Sequence, residues 1–136
     1  MPPSQEEAVK AELAKISLSY GGRRTQFLSA QKTYASKITS FVSAHNDTVL
    51  TKLNEQAKVF EDKFNSLLAC IIEAQETRGI PEDDLVLWKD RESHAFAIFK
   101  ECTDKHYEAE HIYHASKITP RVKREEGGST TSTSQG

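Results

Sequence analysis

Residues 50–74, LTKLNEQAKVFEDKFNSLLACIIEA, carry the pattern that decides the fold of this 136-residue chain. Leu50, Leu53, Ala57, Phe60, Phe64, Leu67, Ile71 and Ala74 recur at alternating steps of three and four. That spacing lays one apolar stripe along a helix and is the seam of a left-handed coiled coil. Such a helix hides its stripe only against neighbours of matching period, so partners are sought on either side of it.

Downstream, Gly79 supplies a stop, Pro81 an opening turn, and Glu82, Asp83 and Asp84 complement the positive end of a new helix. Leu85, Trp88, Glu92, Ala95, Phe99, Cys102, His106, Ala109 and Tyr113 then repeat the seam. Upstream, Phe27, Tyr34, Ile38 and Phe41 share a face, and His45-Asn46-Asp47 makes a turn whose polar side chains can cap the next helix. Antiparallel neighbours joined by a short loop pair positions of constant sum. Pairing 74 with 85, 67 with 92, 60 with 99 and 50 with 109 keeps one sum, and 41 with 50, 34 with 57 and 27 with 64 keeps another. Both hairpins therefore share one register, with Phe60 and Phe99 in the central layer and Arg24, Leu67 and Glu92 at one level, where Arg24 and Glu92 are expected to form a structural ion pair.

Ser4 and Glu7 form a capping box that opens an earlier helix through Val9, Leu13, Ile16 and Tyr20, and Gly21-Gly22 is expected to break it. From Pro120 the composition turns polar, ending in GGSTTSTSQG, which has nothing to bury. The expectation is an all-α protein: an elongated antiparallel up-down-up three-helix bundle at 23–119, a short N-terminal fourth helix with a Gly-Gly hinge at 1–22, and a disordered polar tail at 120–136.

Composition narrows function. Eighteen basic against 20 acidic residues give a net charge of −2, which offers no general attraction to nucleic acid or anionic lipid. No stretch approaches 18 apolar residues and MPPSQEEAVK lacks the regions of a signal peptide, so a cytoplasmic, intracellular chain is expected, with the nucleus open to it and no membrane partner. In that setting Asn46-Asp47-Thr48 is not read as a glycosylation acceptor. Cys70 and Cys102 sit too far apart along the bundle to bridge and read as reduced thiols. Cys102, His106, Glu110 and His114 fall four residues apart, with His111 beside them, but a straight helix spreads them over about 18 Å and cannot bring all four to one ion. No metal site, cofactor or small-molecule substrate is expected. Without a phosphate loop, an HExxH or a CxxC motif, and with a filled seam instead of a cleft, the chain is not expected to be an enzyme.

The paired arginines Arg23-Arg24 with Phe27, the heptad helix through Phe60 and Phe64, and the acidic start at Glu82 followed by Trp88, Glu92, Phe99 and Tyr107 resemble the N-terminal helical region of Bel/Pao-type retrotransposon Gag polyproteins. The resemblance covers about residues 23 to 126. It implies a structural protein of a particle-forming element that acts by self-assembly; the zinc knuckle of such proteins is missing here, so RNA packaging does not carry over. Spectrin-repeat-like bundles and adaptor subunits share the same three-helix logic.

The expected function is protein–protein interaction, by self-association or with another helical protein. Leu28, Ala35 and Val42 form an apolar edge outside the seam, and Ile71 and Trp88 extend past the start of the second helix, so these five are the candidate interaction surface. The N-terminal helix, folded back at Gly21-Gly22, is expected to cover Leu28 and Ala35 as a removable lid. The competing class is a nucleic-acid-binding module using Arg23, Lys117, Arg121, Lys123 and Arg124.

Overall fold

The computed structural model describes residues 4–124, with side chains for 4–117. Among the described residues the chain forms three helices and no strand: α1 (Gln5–Ala44), α2 (Asp47–Gln75) and α3 (Glu82–Arg124). Each start follows from local chemistry. Ser4 Oγ accepts from the Glu7 amide at 3.2 Å while Glu7 Oε1 accepts from the Ser4 amide at 3.1 Å, the reciprocal capping box. Asn46 caps α2, its Oδ1 accepting from the Val49 amide at 2.9 Å. His45 turns between them in the left-handed region, φ 54°, and Gly79 takes φ 83° in the second loop. A Cβ on Gly79 would also meet Val9 Cγ2 at 3.2 Å, so that turn needs glycine on two grounds.

The three helices pack into one bundle around a continuous core. Partners descend along α1 as they rise along α2: Phe27 meets Phe64 at 5.9 Å between ring centroids, and Tyr34 meets Phe60 at 5.0 Å. The same reversal relates α2 and α3, with Phe60 on Phe99 at 5.5 Å and Gln75 bonded to Glu92. Every α2 seam residue is buried or half-buried, and so is every α3 seam position from Leu85 to Tyr113.

Two expectations are corrected. The helix does not break at Gly21-Gly22; α1 is one 40-residue helix of about 60 Å. There is no separate fourth helix and no lid folded onto Leu28 and Ala35. Helix-interior glycine costs only about 1 kcal/mol each, and the straight path buries Val9, Leu13 and Ile16 along the far end of the bundle, which outweighs that cost. The second correction is at the other terminus, where α3 passes Pro120 and ends at Arg124, beyond the boundary expected at 119. A proline removes one backbone hydrogen bond, a cost that a terminal turn tolerates because water can take the freed carbonyl. The remainder of the expected tail, 125–136, lies outside the described residues. Among the described residues no helix is long and apolar enough to cross a membrane.

The unbroken α1 makes a measurable claim. Nothing lies within 4 Å of a Cβ built on Gly21 or Gly22, and neither has positive φ. The double change Gly21→Ala with Gly22→Ala should therefore raise stability by about 1–2 kcal/mol in urea unfolding, through better helix propensity and a less flexible unfolded chain. A hinge at this point would give a loss instead.

Candidate functional site

The candidate surface divides by burial. Ile71 and Trp88 are 0% and 2% exposed and belong to the core, a correction to their place on the interaction surface. The reason is the straight α1: Tyr20 sits edge-on to Trp88 at 5.2 Å, the Ile16 carbonyl accepts from Cys70 Sγ at 3.5 Å, and the Arg91 guanidinium lies 4.5 Å from both the Tyr20 and Trp88 rings. Arg91 escaped the sequence reading, although its place three residues after Trp88 on one helix face was the available signal. Cys70 and Cys102 are buried free thiols, and burial pushes both up from the ordinary thiol range.

Leu28, Ala35 and Val42 lie along the groove between α1 and α3. Leu28 is half-buried and shares a recess of ≈ 120 Å³ with Ile98 of α3, with Leu67 of α2 behind them. One step on, Ala35 and Ile38 face Cys102 and Lys105 across a second recess of ≈ 170 Å³. Val42 and Ile112, the next members of the two repeats, stand 60% and 54% exposed.

The expected Arg24–Glu92 ion pair is absent. Glu92 Oε1 accepts from Gln75 Nε2 at 2.9 Å, while Arg24 is exposed. Register sets the level of a residue, but Gln75 arrives on α2 closer to Glu92 and takes its carboxylate. A double-mutant cycle of Arg24→Met and Glu92→Leu should accordingly show coupling near zero; coupling above about 1 kcal/mol would restore the pair. Of the basic residues, Arg23 donates from Nη1 to the Ser66 carbonyl at 2.7 Å, and Lys117 reaches Asp47 Oδ1 at 3.1 Å above the Tyr113 ring. Both side chains reach across to α2, Arg23 half-buried and Lys117 exposed. The side chains of Arg121, Lys123 and Arg124 lie outside the described residues.

One polar pair is set in the core. Tyr34 and His106 are 1% and 5% exposed, with the hydroxyl 2.6 Å from Nδ1. Burial raises the phenol far above its usual range, so the hydroxyl keeps its proton; it donates to Nδ1 or accepts from it according to the imidazole tautomer. The other ring nitrogen, Nε2, is 3.4 Å from Glu110 Oε1 and makes no hydrogen bond. Glu110 continues to His114, 3.6 Å away. Among the described residues no three His, Cys, Asp or Glu side chains gather around one point that could hold a metal; Cys102, His106, Glu110 and His114 follow one helix and diverge.

Burial also holds His106 below the ordinary histidine range, with the nearby Glu110 carboxylate opposing it. The unfolded chain titrates this group near about pH 6.5. Between that value and the lower folded one, the unfolded state holds a proton that the folded state lacks, so stability is greatest above about pH 7 and falls as the pH drops through 6.5. Urea unfolding at about pH 7.5 and pH 5.5 should show that loss, and His106→Gln should flatten it. An unchanged slope in the variant would assign the dependence elsewhere.

No family model, no curated protein and no solved structure matches the chain. The class defined by its own geometry is an all-helical bundle with a filled core and, among the described residues, apolar side chains left exposed on all three helices.

Proposed function

We propose that the chain is a non-enzymatic interaction module, an up-down-up antiparallel bundle that self-associates as a Gag-like structural fragment. The observation that supports this reading is the exposure of large apolar side chains outside the core, Val42 at 60% and Ile112 at 54% together with Leu18, Val86 and Phe96. Exposed apolar side chains gain free energy when a second surface removes them from water. The Gag-like character rests on the pattern of residue types from Arg23 to Tyr107 and implies assembly with further copies, not turnover of a substrate. Sedimentation velocity from micromolar to near-millimolar concentration tests it. Mass that rises with concentration supports self-association; the mass of one chain throughout overturns it and leaves a different helical protein as the partner to seek.

A further inference from the structure

We infer that the recess between α1 and α3 beside Tyr20 and Leu67 is a binding site for a small organic carboxylate whose apolar body is the size of a phenyl ring. The site is separate from self-association and does not depend on it.

The recess joins an apolar interior to a cationic rim. Phe27, Leu67 and Ala95 are buried and form its floor, and half-buried Leu28 and Ile98 flank it. Its volume of ≈ 120 Å³ suits one ring-sized group, since an apolar cavity of about 150 Å³ holds benzene. The polar side chains that line it are Tyr20, Arg24, Arg91 and His94, each able to donate a hydrogen bond, and no carboxylate is among them. A guest that covers the floor with apolar surface and carries negative charge at the mouth satisfies both halves of this lining.

Two arginines bring unmatched charge to that mouth. The pair expected between Arg24 and Glu92 does not form, because Gln75 Nε2 holds the Glu92 carboxylate at 2.9 Å. Among the described residues neither Arg24 nor Arg91 makes an ion pair or donates a hydrogen bond. Arg91 is nevertheless fixed in place, its guanidinium carbon 4.5 Å from the centres of both the Tyr20 and Trp88 rings. Such contact engages the face of the guanidinium and leaves the N–H groups, which lie in its plane, for an acceptor. A cation immobilised in advance loses little rotamer freedom when it binds. Arg24, one turn after Tyr20 on α1, supplies the second charge, and the paired oxygens of a carboxylate fit the fork of a guanidinium. The next recess of the groove shows the contrast: Lys105 there is held by Glu101 at 3.5 Å, so its charge is already met.

Phenylacetate is the probe, titrated into the full chain at fixed ionic strength. Trp88 is the chain's single tryptophan and lies against Arg91, so its fluorescence reports the rim, and backbone amide shifts report the floor. Both should saturate together with a Kd of about 1 mM, the shifts centred on Arg24, Arg91 and Ala95. Phenylethanol, which keeps the ring without the charge, and acetate, which keeps the charge without the ring, should each bind at least roughly tenfold more weakly. Arg24→Gln, at an exposed position, should weaken phenylacetate roughly tenfold. Leu28→Phe places a ring in the recess and should abolish saturation, and unchanged circular dichroism shows that both variants are folded. Shifts that do not saturate, shifts centred elsewhere, equal binding of phenylethanol or acetate, or full affinity in either variant each overturn the site. None of these outcomes bears on whether the chain self-associates, which sedimentation decides.

Discussion

Phe60→Ala is expected to lower stability by about 3–5 kcal/mol, the range for removing a large aromatic side chain from a closed core. Phe60 is fully buried and touches rings from both other helices: Phe27 stacked at 5.1 Å, Tyr34 at 5.0 Å and Phe99 stacked at 5.5 Å. Phe99 in turn stacks on Phe64 at 4.3 Å, so the rings form one layer that spans the bundle. A cavity there is walled by three long helices, none of which can move inward without disturbing its neighbours, and little of the lost contact returns by collapse. Urea unfolding measures it. A loss under about 1 kcal/mol would mean that this layer is not the centre of the bundle.

The second large effect belongs to the buried polar pair. Tyr34→Phe removes the hydroxyl and leaves His106 Nδ1 buried with no partner, an expected cost of about 1–3 kcal/mol. His106→Leu has the converse effect, leaving the Tyr34 hydroxyl unsatisfied. With both replaced, no orphan remains, and the double variant should be more stable than the two single losses predict by about 1 kcal/mol or more. Additive losses would mean that the hydroxyl and the imidazole do not act as a pair. The outcome also bears on specificity: a hydrogen-bonded polar pair buried in the core opposes slippage of α1 against α3, since another register parts the two groups.

The division between what was legible and what was not follows the physics of each feature. The apolar stripes of α2 and α3 were legible because a helix repeats every 3.6 residues, but Ile71 and Trp88, expected at the surface, are buried because α1 lies over them. The caps at Ser4 and Asn46 were legible because they are made within one turn of chain. The Phe60–Phe99 and Phe27–Phe64 pairings were legible because short loops leave antiparallel helices one register to adopt.

Other features were decided by groups that only folding brings together. Gly21-Gly22 permits a break without imposing one, and the choice fell to apolar surface far away in sequence, Ile71 and Trp88, which a straight α1 covers. The partner of Glu92 was decided by where Gln75 projects from α2, and Tyr34 met His106 because side-chain direction carries contacts away from the level of the backbone. The sequence alone determined the apolar stripes of α2 and α3 and the order in which the helices follow, since periodicity and loop length are local properties. The tertiary structure decided which polar groups share a hydrogen bond and which apolar edge stays open, since both depend on the neighbour that arrives within a few ångströms.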